Sequence, residues 1–358
     1  MDNQKSGIMK KFITMLLSLL GMQSACSQQA FVSVNADEFE SLIAKNDVQL
    51  LDVRTAEEFA DGHLAGAFNI DIKQGVFDKM ATAWLSKQRP VAVYCRSGRR
   101  SADAAKRLTA MGYEVTNLSG GIMDWQKNNK PTTTDPAEAD RFVTPGGKTV
   151  TFYALMHGSV RIDFDGYEII VDPVARLGNR SVDFSAMPAP HLVIVTHEHR
   201  DHYDPATLTQ LLSDDATQFI TNARCATEFG RGRVMVNGDT LTLPNGIKID
   251  AVPAYNTTPE HTQFHPKGRD NGFVLNLDGL RVYIAGDTED IPEMAALTDI
   301  DIAFLPCNQP YTMTAEQLFN AARMVKAKHI FPYHYGTTDV TGIAAQLPDT
   351  DVRIRHYE

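Results

Sequence analysis

Short apolar runs of strand length alternate with stretches of helical period along the first third of the chain. Residues 48–53, 91–94 and 114–118 are the runs, and helical patterns follow Thr55 and Ser101. Thr55 with Glu58 has the spacing of a capping box, which marks a helix start. Strand and helix in alternation predict a small α/β domain built on a parallel sheet. Residues 128–148 hold Pro131, Pro136 and Pro145 and several threonines without apolar period, so they read as a linker. Beyond it, residues 150–155, 160–164, 168–171 and 192–196 read as strands, and strand and helical segments alternate to residue 358. Asp278-Gly279 between two apolar runs is the turn of a hairpin. The resulting plan is a leader over 1–26, a first domain over 30–127, the linker, and a second domain over 149–358.

Composition agrees with two soluble domains, since 43% of the 358 residues are hydrophobic and 22% charged. Lys and Arg number 34 against 44 Asp and Glu, a net charge of −10, and this acidic balance excludes a general nucleic-acid binder. Cys26, Cys95, Cys225 and Cys307 are too dispersed for a disulfide scaffold or a cysteine zinc module. Cys225 and Cys307 read as core thiols. Lys10 and Lys11 precede an apolar run over 12–22, too short to span a bilayer but suited to a secretory signal peptide. Ser24 and Ala25 ahead of Cys26 resemble a bacterial lipobox, with Gln23 where an aliphatic residue is usual. The expectation is an exported lipoprotein of the periplasm, touching membrane only through a lipid on Cys26.

Cys95 ends the apolar run 91–94, and Arg96, Ser97, Gly98, Arg99 and Arg100 lead towards the next helix. Such a loop turns backbone N–H groups and a positive helix end towards one sulfur, favouring its thiolate and an anion upon it. The arginines suit thiosulfate or a persulfide donor. Together with Leu51-Asp52-Val53-Arg54, Glu57-Glu58-Phe59, the segment from Gly62 to Ala67, and Gly120-Gly121-Ile122-Met123-Asp124-Trp125, this loop resembles a rhodanese domain. The resemblance implies a sulfurtransferase with a persulfide on Cys95. Four residues separate Cys95 from Arg100, as in sulfurtransferases; the related phosphatases have one residue more, and Ser101 stands there.

Four potential metal ligands fall within six residues, His197, His199, Asp201 and His202, directly after an apolar run. Asp287 and His334 also follow strand-like runs, where α/β folds gather functional groups. With His157-Gly158-Ser159 and Val171-Asp172-Pro173, the whole set resembles the metallo-β-lactamase superfamily, an αβ/βα sandwich that binds one or two zinc, iron or manganese ions. The resemblance implies His197 and His199 at a first ion, Asp201, His202 and His334 at a second, and Asp287 between them, with Asp201 orienting or deprotonating a water. The first ion's third ligand departs from the common pattern, because Asn256 stands where a histidine is usual. His265 is the favoured replacement and His261 the other candidate. Segments from Val252 to Met294 resemble the lactonase-like branch, which includes N-acyl-phosphatidylethanolamine phospholipase D. The implied activity is zinc-dependent hydrolysis of a small-molecule ester, lactone or phosphodiester, joined to a sulfurtransferase. An iron persulfide dioxygenase with a fused rhodanese, and a sulfur carrier with a structural metal domain, are the alternatives.

Overall fold

A computed structural model of the chain describes residues 31–44, 48–134 and 138–357, so the leader and Cys26 lie outside the described residues. The first domain is an all-parallel sheet in the order Val32–Val34, Val115–Leu118, Val91–Tyr94, Gln49–Asp52, Phe68–Asn69. Alternate side chains of one strand feed opposite layers. Val91 and Val93 join Leu51, Phe77 and Leu108, whereas Ala92 and Tyr94 join Phe39, Leu118 and Trp125. Burial on both faces is why these strands read as continuous apolar runs. Thr55 caps the helix Ala56–Ala60 reciprocally: its hydroxyl accepts the Glu58 N–H at 3.3 Å and Glu58 accepts the Thr55 N–H at 3.1 Å.

Among the described residues the second domain has a small two-stranded ribbon, Arg176–Leu177 with Arg180–Ser181, and two seven-stranded sheets. One runs Arg233–Val234, Gln218–Thr221, Leu192–Ile194, Tyr167–Val171, Ser159–Phe164, Thr149–Met156, Glu138–Val143; the other Thr240–Thr242, Lys248–Ala254, Asp270–Leu277, Leu280–Ile284, Ile302–Pro306, His329–Tyr333, Asp351–Val352. Their inner faces share one core, to which Phe152, Ile162 and Ile194 come from the first sheet and Phe273, Ile284 and Phe304 from the second. The helices Pro205–Leu211 and Ala223–Phe229 pack with residues of the first sheet and Ala315–Val325 with those of the second, which makes the αβ/βα sandwich. Asp278-Gly279 forms the expected hairpin between Asp270–Leu277 and Leu280–Ile284.

The linker is shorter than the composition of 128–148 implies. Glu138–Val143 is an edge strand paired antiparallel with Thr149–Met156, so the second domain starts before residue 149. Its apolar period is broken because a buried inward position carries Asp140, which accepts hydrogen bonds from Arg353 and Arg355, each at 2.8 Å. A carboxylate neutralised by two arginines occupies the place of an aliphatic side chain. The helix expected from Ser101 begins earlier, as Arg99–Ala110, because Gly98 adopts φ 86° and turns the chain sharply into its first turn. Arg99 and Arg100 therefore belong to the helix start rather than to the loop.

Candidate functional site

The loop after Leu192–Ile194 winds back on itself, with the N–H groups of His202 and Tyr203 both donating to the His199 carbonyl at 2.9 and 2.8 Å. That turn brings His197, His199, Asp201 and His202 into one place. Asp287 arrives from the end of Leu280–Ile284, His334 from the end of His329–Tyr333, and His265 from the loop preceding Asp270–Leu277. Two groups of donor atoms result. His197, His199, His265 and Asp287 offer atoms within 4.8 Å of one another, and so do His157, Asp201, His202 and His334. Asp287 faces both groups, with Oδ2 3.3 Å from His265 Nε2 and 3.4 Å from His334 Nε2, and Oδ1 3.2 Å from His202 Nε2.

Several of these atoms are fully buried yet make no hydrogen bond among the described residues: His202 Nε2, His265 Nε2, Asp287 Oδ1 and His334 Nε2. Buried polar atoms are rarely left so, and their convergence on common points fits divalent cations. The opposite ring edges are held from outside. His202 Nδ1 lies 2.8 Å from Asp172 Oδ2, His265 Nδ1 3.0 Å from Asp270 Oδ2, and His197 Nδ1 3.0 Å from Thr196 Oγ1. Carboxylates and hydroxyls in that position orient ligating histidines and raise their basicity. Asp172 also accepts the Thr196 N–H and hydroxyl at 2.7 and 2.8 Å, so one residue braces both halves of the histidine loop.

The electrostatics agree with crowded charge. Burial and the neighbouring His202 push His197 well below the ordinary histidine range. Burial works against the charged form of His202, but Asp287 and Asp172 outweigh it and hold its pKa high. Asp287 is buried too, and His202 and His334 hold its carboxyl well below the usual range in spite of that. Three residues of the centre, His157, Asp172 and His334, adopt φ of 53°, 47° and 46°, a left-handed conformation that non-glycine residues keep only where their surroundings impose it.

A beta-lactamase superfamily domain model matches residues 150–334 and a rhodanese-like domain model residues 35–128. The chain belongs to the beta-lactamase superfamily. Within it, a UPF0173 metal-dependent hydrolase of Methanoculleus marisnigri is 33% identical over 177 residues, 47% of this chain and 74% of the relative. A solved structure from Parabacteroides distasonis ATCC 8503, described as a metal-dependent hydrolase, is 47% identical with a TM-score of 0.59, covering 62% of this chain and all of that one. Igni18, a metallo hydrolase of Ignicoccus hospitalis, shares the fold at 24% identity and a TM-score of 0.50, over 57% of this chain and 94% of its own. The protein is thus a metal-dependent hydrolase of the metallo-β-lactamase fold with a rhodanese domain ahead of it.

In this hydrolase His265 belongs to the donor groups and His261 does not. His261 Nδ1 lies 3.1 Å from Glu289 Oε1, and Glu289 also accepts the Thr257 and Thr258 N–H groups at 2.7 and 2.6 Å. Asn256 fills a structural role, its amide donating to the Tyr311 carbonyl at 2.7 Å while its N–H donates to the His265 carbonyl at 2.8 Å. His157 is the member that sequence reasoning missed as a donor; its proximity to the Gly-Ser pair was the available signal. Gly158 has a steric reason, since a Cβ there would lie 2.6 Å from His202 Cε1. Cys307 is a core thiol, which burial pushes up to about 12, and Cys225 likewise.

The rhodanese-domain residues assemble as a second site. Cys95 is buried behind its loop, with the Ser101 hydroxyl 3.4 Å from Sγ. The loop is pinned from below, as the Cys95 and Arg96 carbonyls accept the Ile122 and Met123 N–H groups at 2.8 and 3.1 Å. Arg100 forks onto Glu58 at 2.6 and 2.7 Å and also faces the sulfur, whereas Arg96 and Arg99 are exposed beside it. Burial works against ionised Glu58, but Arg100 dominates and draws its pKa down to about 2. Cys95 follows the last residue of Val91–Tyr94. Contacts with the second domain include Gln88, which donates to the Pro348 carbonyl at 2.7 Å, and Arg89, which lies 3.9 Å from Asp351. Cys95 belongs to the first domain, and every member of the two donor groups to the second.

Proposed function

We propose that the chain hydrolyses a small-molecule ester, lactone or phosphodiester at two divalent ions, zinc by preference, and that Cys95 carries sulfur as a persulfide. The supporting observation is the pair of four-residue donor sets with Asp287 facing both. His197, His199 and His265 would hold one ion, His157, Asp201, His202 and His334 the other, and Asp287 would bridge. Two ions at such a site supply Lewis acidity and bring the pKa of a shared water towards neutrality. Asp201 has its Oδ2 3.2 Å from His157 and 3.5 Å from His334, and remains partly accessible. Those histidines keep it ionised against its burial, so it orients a water for attack. Asp172 and Asp270 hold the rings in place and so fix the direction of the donor lone pairs.

At the other site the Cys95 thiolate attacks the outer sulfur of thiosulfate, forming an S–S bond as sulfite leaves with the electron pair of the broken bond. A nucleophilic acceptor such as cyanide then takes the sulfur and returns the thiolate. Because the two centres are built from different domains, each serves its own diffusible substrate. Export with lipid attachment at Cys26 accords with the apolar run 12–22, and a Cys26→Ala chain should leave the membrane fraction.

Metal analysis of protein purified without added metal tests the main reading. Two zinc-like ions per chain, both lost together with ester or phosphodiester hydrolysis in Asp287→Ala, is the expected result. One iron per chain with oxygen consumption on a persulfide would replace the hydrolase with a dioxygenase.

A further inference from the structure

Residues 353–357 run between the two domains and end against the metal centre. Arg353 and Arg355 are clamped by Asp140, and the Arg355 guanidinium also lies 5.4 Å from the centre of the Phe68 ring of the rhodanese domain. His356 meets the Trp84 ring edge-on at 4.0 Å. The next residue, Tyr357, is almost wholly buried. Its carbonyl accepts the His157 N–H at 2.7 Å, and its ring packs edge-to-face on Tyr333, 6.1 Å between centres.

Tyr333 immediately precedes His334, and its hydroxyl accepts the N–H of Gly286, the residue before Asp287, at 2.9 Å. On the other flank of His334, the Tyr335 hydroxyl donates to the Arg355 carbonyl. His157 and His334 are also tied to one another, the His334 N–H donating to the His157 carbonyl at 3.2 Å. Both stand at positive φ, so their backbone geometry depends on what grips it. Residues 355–357 supply that grip from both sides, and Trp84 of the rhodanese domain supports it from behind.

We infer that residues 355–357, seated against Trp84, position His157 and His334 for the second ion, and that the rhodanese domain is thereby part of the scaffold of the metal centre. Tyr357 acts as a positioning residue, touching ligands and not substrate. A link of this kind gives the fusion a physical role independent of any passage of sulfur between the sites. The inference rests on the two-ion reading above.

The test is metal retention by the full chain loaded with zinc and dialysed against a chelator at the highest concentration at which the parent keeps two ions. Tyr357→Ala should keep one. His356→Ala, a change at an exposed side chain, and Trp84→Ala should release the second ion several-fold faster than the parent, and Trp84→Phe, which retains an aromatic edge, should restore the parental rate. Sulfur transfer by His356→Ala should stay at the parental level, showing that the rhodanese domain is folded. Parental retention in both Tyr357→Ala and His356→Ala, or loss of both ions together, would overturn the inference while leaving the hydrolase reading standing. A parent that never holds two ions would overturn both.

Discussion

His265 turns Nδ1 to Asp270, 3.0 Å away, and Nε2 to Asp287, 3.3 Å away, so that one imidazole lies between a supporting carboxylate and the centre of the site. Asp270 is itself fixed by Arg269, which donates two hydrogen bonds at 2.7 Å. Burial opposes the charge on His265, but the two carboxylates prevail and raise its pKa to about 9. Asp270 supplies both direction and basicity.

Replacing Asp270 with Asn removes the charge and keeps the shape. Metal affinity at the first position should fall by roughly 10–100-fold, as for other losses of a carboxylate behind a ligating histidine. Chelator competition measures it, and His265→Ala should weaken binding further still, whereas His261→Ala should leave it near the parental value. A larger effect of His261→Ala would move the third ligand to the other histidine.

Gly158→Ala tests the packing around the second position. The added methyl would meet the His202 ring at 2.6 Å, closer than carbon atoms approach, so the ring must turn away from Asp172 and Asp287. The variant should fold and retain the first ion but hold the second weakly, which metal analysis after dialysis would reveal. Two tightly held ions in this variant would show that the backbone yields instead.

Cys95→Ser should abolish thiosulfate-to-cyanide transfer and leave both ions and hydrolysis unchanged, because the sulfur belongs to the first domain and all the metal-site donors to the second. Residual transfer at the parental rate would remove Cys95 from the reaction.

Asp140 joins the edge strand Glu138–Val143 to Arg353 and Arg355. Burial alone would raise its pKa, but the two arginines hold it at about 2. A carboxyl depressed on folding stabilises fully above its unfolded pKa, and that contribution disappears as pH falls through the folded value. The parent should therefore lose on the order of 2–3 kcal/mol from this group between about pH 4 and pH 2. Asp140→Asn should be less stable at neutral pH by about 3–5 kcal/mol, having left buried arginine charge uncompensated, and should show a flatter acid dependence. Denaturant unfolding at several pH values gives both slopes; parallel slopes would assign the acid sensitivity elsewhere.

Much of this protein is local in origin and so is written in the order of its residues. Continuous apolar runs such as Val91–Tyr94 declare strands buried on both faces, and the Thr55–Glu58 pair closes its own cap within four residues. The His197–His202 segment announces a metal because its donors lie on one turn of chain. Long-range packing alone decided the rest. His157 became a member of the second group through a hydrogen bond to Tyr357, 200 residues away, and no periodicity encodes such a contact. His265 prevailed over His261 because the fold turns its Nε2 to within 3.3 Å of Asp287, whereas the loop leaves His261 on Glu289, outside both donor groups. Asp140 disguised a strand as a linker, since the arginines that make its burial tolerable come from residues 353 and 355. Charge burial is a property of pairs, and the chain lists its residues one at a time; only folding brings the partners together.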